Sequence, residues 1–224
     1  MVVSMPSPCA DGGGPAAEVV PSEPLDLLAS LATDLDPVRL ESELGRVFAS
    51  APFEALADDW LMPSLARLGR AWQSGTVSVA GEHFVSAGLH RQVARVLEAA
   101  EPAPGAPRVM VGLSRASRHE LGVLSFAALL RRAGVEVVYV GADLPSDSWA
   151  VAATSAGVRD IVLGVPTADD LPGVRDAVAA LAAAAPDVAV HVGGGHQDRV
   201  GPPAQPLGHV LVEASRTLAG RLLA

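Results

Sequence analysis

Four short apolar runs constrain this chain more than any other feature. They lie at 108–113 (RVMVGL), 135–140 (VEVVYV), 159–165 (RDIVLGV) and 187–193 (DVAVHVG). Helical stretches around 119–133, 147–156 and 169–184 separate them. Nearly unbroken apolar strands that alternate with helices form a parallel sheet covered on both faces. The pattern predicts an α/β domain over 107–224 with a doubly wound sheet, Rossmann-like or flavodoxin-like. It closes with a helix at 211–223, after a short strand near Gly208-His209-Val210. Such sheets bind ligands at the carboxyl ends of their strands, which directs attention to loops 114–122, 141–146, 164–169 and 193–201.

The N-terminal part follows a helical period instead. Ser22 with Pro24, and Asp36 with Pro37, are cap-and-proline starts for two helices. A third starts near Pro52 and repeats Phe53, Leu56, Ala57, Trp60, Leu61, Leu65, Leu68 and Trp72 at three-four spacing. Pro63 inside it predicts a kink. The fourth runs from about Ser78 to Ala99 and is expected to bury Val79, Val85 or Ser86, Leu89, Val93 and Val96. Short connections make this a four-helix bundle over 22–100, joined by the linker EPAPGAP at 101–107. Residues 1–21, rich in Pro and Gly, are expected to form a disordered tail.

Composition removes several functions. The net charge of −9, with no basic run, speaks against direct DNA or RNA binding. One cysteine, Cys9, allows no internal disulfide. No apolar run approaches a membrane span, and the N-terminus does not read as a secretory signal, so a cytoplasmic protein is expected. The first α/β loop has neither G-x-G-x-x-G nor a Walker-type G-K-[ST]. No Ser-His-Asp or Cys-His arrangement finds support, and no catalytic role is expected of this chain alone.

The loops carry the candidate chemistry. His119 is expected to open a helix at the end of the first strand, three residues before Gly122, with Ser117 as the neighbour that orients its ring. Taken alone, such a His is more often a capping or partner-contacting residue than a metal ligand. Gly164-Val165-Pro166-Thr167 follows the third strand and Gly193-Gly194-Gly195-His196 the fourth. In the bundle, Trp72 and Glu82-His83 bracket one hairpin; each is also at home as the end of an apolar stripe or on a solvated face. His191 and Trp149 are expected to be packed, and His90 and His209 to be surface residues. Asp143 and Pro145 shape the second loop, and Asp169-Asp170 place charge at a helix N-terminus.

The stretch Ser117-x-His119-x-x-Gly122 resembles the D-x-H-x-x-G signature of cobalamin-binding domains that take their lower cobalt ligand from a protein His. The resemblance implies His119 as the cobalt ligand. It also implies that loops 164–167 and 193–195 receive the nucleotide tail, with Thr167 standing in for that family's serine hydroxyl; His196, next in the chain, is a candidate to hydrogen-bond the corrin side amides. Ser117 stands where the family usually has Asp or Glu, which predicts a weaker imidazole donor. Trp72, nine further residues, then Glu82-His83 is similar to the cap of the MerR-type light-responsive repressors, where Trp and Glu cover the upper group, commonly 5'-deoxyadenosyl. Met62-Pro63 and Leu68-Gly69 are shared with corrinoid methyltransferase proteins. The likeness covers roughly residues 36–220. In place of the His that often follows the repressors' Trp stands Gln73, and only a short tail occupies the place of their DNA-binding module.

These resemblances lead to an expected photosensory, regulatory protein binding adenosylcobalamin, of the stand-alone photocobilin-like kind. Biliverdin is the candidate second chromophore, and a homo-oligomer or a regulatory protein the expected partner. The competing expectation is a corrinoid carrier of a methyltransferase system.

Overall fold

The computed structural model describes residues 24–224; the expected tail, Cys9 and the Ser22 cap lie outside them. Helix α1 (Leu27–Asp34) starts later than the sequence pattern suggests. The Pro24 carbonyl instead accepts from the Leu27 N–H in a turn and from Trp60 Nε1 at 3.4 Å. Helix α2 (Pro37–Ser50) starts as expected, because Asp36 accepts from the N–H groups of Val38 and Arg39 at 2.9 and 3.1 Å.

The third helix is continuous but not uniform. Helix α3 (Phe53–Leu56) passes through a π-helical turn (Ala57–Leu61) into α4 (Met62–Gln73). Proline offers no N–H and crowds the carbonyl one turn back, and a widened turn just before Pro63 accommodates both problems. Where the sequence predicts a kink, the structure has this π-helical turn. Helix α5 (Val79–Ala99) is capped by Ser78, whose Oγ accepts from Gly81 N at 3.0 Å. Val85, Leu89 and Val93 are buried as expected, but Val79 is 56% exposed and Val96 only partly buried. At this end of α5 the residue that meets α1 is Gly81: an added Cβ there would lie 2.3 Å from the Ala32 carbonyl oxygen. That contact turns the Val79 side of the first turn outward.

Strands β1 (Arg108–Ser114), β2 (Glu136–Leu144), β3 (Asp160–Gly164), β4 (Ala189–Gly193) and β5 (Gln205–Pro206) form one parallel sheet in the order 2-1-3-4-5. This is the flavodoxin-like order of a doubly wound fold. The last strand lies at 205–206 and not near 208–210, because the chain turns at Gly208 with φ +102° before entering the final helix. Helices α6 (Glu120–Arg132) and α9 (Leu211–Leu223) cover one face; α7 (Ser148–Ala156) and α8 (Leu171–Ala184) cover the other. Trp149 is fully buried in the second core, as expected.

The bundle packs on the α6–α9 side, where Leu61, Leu89, Leu124, Ala128 and Leu218 share one core. Polar ties reinforce the joint. Arg132 of α6 donates to both oxygens of Glu54 at 2.7 and 3.0 Å. The two oxygens of Asp58, on the π-helical turn, accept from Leu211 N and Val212 N at 3.0 and 2.9 Å and so cap α9. Among the described residues no helix is long and apolar enough to cross a membrane.

Candidate functional site

The first loop is shaped by its neighbours. Ala116 adopts a left-handed conformation (φ +68°), and its N–H donates to Asp143 Oδ1 at 2.7 Å. Asp143, itself left-handed at φ +58°, donates its N–H to the Ser117 carbonyl at 3.2 Å. Asp143, expected only to shape the second loop, lies at the end of β2 and holds the first loop in place. His119 takes the position before the first turn of α6, and its side chain is exposed.

One expectation fails here. Ser117 is fully buried and its Oγ has no hydrogen-bond partner, so it does not orient His119. The cause is the left-handed turn at Ala116 and the bond from Ser117 N to the Ser114 carbonyl at 3.1 Å, which fold Ser117 inward while His119 faces out.

The third and fourth loops meet. Gly164 pairs with Gly193 in the ladder, Val165 N donates to the Gly193 carbonyl at 2.7 Å, and His196 N to the Val165 carbonyl at 3.1 Å. Gly194 has φ +112°, and an added Cβ would sit 2.8 Å from the Val165 oxygen; one on Gly195 would sit 3.4 Å from the Pro166 oxygen. The close approach and the left-handed backbone require a glycine at 194. Thr167 Oγ1 donates to Asp170 at 2.7 Å, in a capping box over the short turn that leads into α8. Its proton is therefore committed, and it is not a free hydroxyl donor. Asp170 acts at a helix start, as expected.

Three polar atoms at this edge are buried without a partner: Ser114 Oγ, Ser117 Oγ and His196 Nδ1. An orphaned buried group costs about 1–3 kcal/mol, and three at or just past the carboxyl ends of the strands suit a polar ligand. Ser114 was not expected in this role; its place at the end of an apolar strand, opening the loop, was the available signal. Among the described residues no three His, Cys, Asp or Glu side chains gather as a metal cage. The single exposed imidazole of His119 suits a metal whose other ligands come with it.

The bundle reaches this loop at two points. Met62 Cε of α4 would lie 3.8 Å from a Cβ at Gly122, and His90 Nε2 of α5 lies 3.5 Å from Glu120 Oε2. His90 is therefore no simple surface residue. Burial, together with the charge and hydrogen bond of Glu120, raises the Tyr139 hydroxyl well above the ordinary phenol range, and it donates to Glu120 Oε1 at 3.2 Å. Along α4 and α5, the tip with Trp72, Glu82 and His83 projects about 12–15 Å past these contacts at ~1.5 Å per residue. Trp72 is 45% exposed, so the α4 apolar stripe ends before it. Glu82 Oε1 accepts from Ser86 Oγ at 2.6 Å, and His83 is exposed. His191 is packed as expected, 2.8 Å from Asp160, and His209 sits at the surface 2.9 Å from Asp198.

Two family models, each described as B12 binding domain, match residues 25–97 and 107–201, together about three quarters of the chain. The helical part and the α/β part are thus each similar to a B12 binding domain. Among curated proteins it is similar to the HTH-type transcriptional repressor CarH of Myxococcus xanthus, 33% identical over 112 residues, half of this chain and 37% of that protein. The repressor CarA of the same organism is 34% identical over 93 residues, 42% of this chain and 31% of that one. The match thus spans about a third of each relative. Among solved structures, the monomethylamine corrinoid protein of Methanosarcina barkeri aligns with a TM-score of 0.62 at 13% identity. That alignment covers 88% of this chain and 95% of the other, a likeness of fold.

Proposed function

We propose that this protein holds a cobalamin between its bundle and the carboxyl ends of its strands, and serves as a light-responsive regulator. The observation that carries the reading is a lone exposed imidazole, His119, beside a glycine-lined edge with three unpartnered buried polar atoms. His119 would be the lower cobalt ligand. The loops at Gly164–Thr167 and Gly193–His196 would receive the tail, with Ser114, Ser117 and His196 supplying its hydrogen bonds. Gly122 keeps the first turn of α6 open to close approach. Trp72, Glu82 and His83 would cover the upper group, for which 5'-deoxyadenosyl suits an indole roof.

A bound cobalamin supplies a cobalt–carbon bond that visible light breaks. The chain's part is to hold the cofactor, to exclude water beneath Trp72, and to move the hairpin tip when the space under it changes. Packed interfaces of this kind have discrete arrangements, and the output would be a changed partner surface or oligomeric state. With Gln73 beside Trp72, a second protein ligand would have to be His83.

The exposure of Trp72 favours a second reading, a corrinoid carrier whose upper face is open to a methyltransferase. Dark reconstitution with adenosylcobalamin separates the two. We expect an imidazole-ligated spectrum that His119→Ala loses, and a change of absorbance and particle size on illumination. Retention of methylcobalamin with methyl transfer to a cognate enzyme, and no light response, would instead select the carrier. A red-absorbing band after adding biliverdin would establish a bilin as second chromophore, and its absence would remove one. A protein that stays colourless with every corrinoid ends the proposal.

A further inference from the structure

Ser117, where the resemblance leads one to expect a carboxylate, is uncharged and buried, and its hydroxyl has no hydrogen-bond partner. A carboxylate nevertheless stands beside His119, one residue further along. The geometry points to Glu120 as the positioning residue for His119, held jointly by Tyr139 of the sheet and His90 of the bundle. The assignment rests on the cobalamin reading and deepens it: the bundle would have a hand on the lower ligand's turn as well as on the upper face.

Three elements meet at this side chain. From β2, Tyr139 donates its hydroxyl proton to Oε1 at 3.2 Å. From the same strand, Gly141 leaves the space, since an added Cβ would lie 3.4 Å from Oε1 and the backbone there is left-handed at φ +74°. The β1–β2 ladder slips at this point, pairing Val111 with Tyr139 but Gly112 with Gly141. From α5, His90 Nε2 lies 3.5 Å from Oε2. Glu120 is the first residue of α6, so fixing its side chain fixes the backbone that carries His119.

The same contacts give the bundle a path to His119. Glu82, Ser86 and His90 stand four residues apart on one face of α5, and Glu82 is already bonded to Ser86 at 2.6 Å. A shift of the hairpin tip along α5 moves His90, and with it the carboxylate that His90 shares with Tyr139. The carboxylate acts on His119 through the backbone of the α6 start, by fixing the residue next to it.

The test uses the full chain, reconstituted in the dark with aquocobalamin, and reads the absorbance spectrum and the dissociation constant. Circular dichroism checks that each variant folds, and Tyr139→Phe serves as the milder variant should Glu120→Ala not fold. We expect Glu120→Ala and His90→Ala each to bind more weakly than wild type, with a spectrum shifted from the imidazole-ligated toward the water-ligated form. Glu120→Gln, which still accepts from Tyr139, should recover most of the wild-type spectrum; a merely structural role would not move the ligation spectrum in a folded variant. A coloured wild type whose spectrum is unchanged in folded Glu120→Ala, or in folded Tyr139→Phe where that replaces it, overturns this assignment alone. A colourless wild type overturns it together with the cobalamin reading.

Discussion

The two ends of the bundle are built differently. At one end, Glu54 and Asp58 tie the third helix to α6 and α9, and Leu89 and Leu61 sit in a core continuous with the sheet. At the other, the α4–α5 hairpin leaves Trp72 and Val79 half exposed, with Glu82 and His83 beside them. One helix pair thus carries both a joint that belongs to the fold and a tip that the fold does not use. Selection for stability explains the joint. It does not explain an indole left 45% exposed at the tip, and that is why the tip is a candidate for handling a ligand.

The division is testable at the joint first. Leu89 is completely buried, and Leu89→Ala should cost about 2–5 kcal/mol of unfolding free energy. Thermal and denaturant unfolding should fall as a single transition, because bundle and sheet share that core. If two transitions separated, the joint would not be continuous and the comparison would break. Asp58→Ala comes next. It uncaps α9, whose own preceding residue Val210 makes no side-chain cap, and should cost about 0.5–2 kcal/mol. A loss under ~0.3 kcal/mol in denaturant titration would show that water replaces the carboxylate there.

The Glu54–Arg132 pair predicts a smaller, pH-dependent effect. The hydrogen bond from Arg132 holds the Glu54 carboxyl below its ordinary value of 4.5, against the opposing effect of burial. A depressed carboxyl contributes stability above the unfolded value and loses it as pH falls through the lower folded value. Arg132→Met, which keeps the stem's packing, should therefore cost up to about 1 kcal/mol near neutral pH. That difference should shrink once the pH drops below 4.5. A difference that is constant from neutral to acid would assign the effect to packing.

The sheet and its helices were largely legible because their apolar runs are local: β1, α6 and α8 fall close to the positions expected from the sequence. What escaped was set at long range. The cap of α9 comes from Asp58, far away in the chain, and no local pattern around Val210 announces it. The strand at 205–206 is only two residues long and contains a proline, too little for an apolar signal. His119 and the three glycines were candidates by spacing alone. Ser117 could not be placed, because its inward turn depends on a carboxylate from another loop. His90 and Tyr139 were missed for the same reason: their partner Glu120 becomes visible only when α5, α6 and β2 come together.

The smallest expected effect is the sharpest test of the tip. Trp72 is 45% exposed, so Trp72→Ala should change the stability of the protein without cofactor by less than about 0.5 kcal/mol. The same indole, if it roofs a bound ligand, loses most of that exposure on binding, and its removal should then weaken dark retention of adenosylcobalamin measurably in a desalting assay. Stability and retention should thus respond in opposite proportion to Leu89→Ala and Trp72→Ala. Should Trp72→Ala lower the melting temperature as Leu89→Ala does, the indole is part of the core, and the tip loses its claim to a separate role.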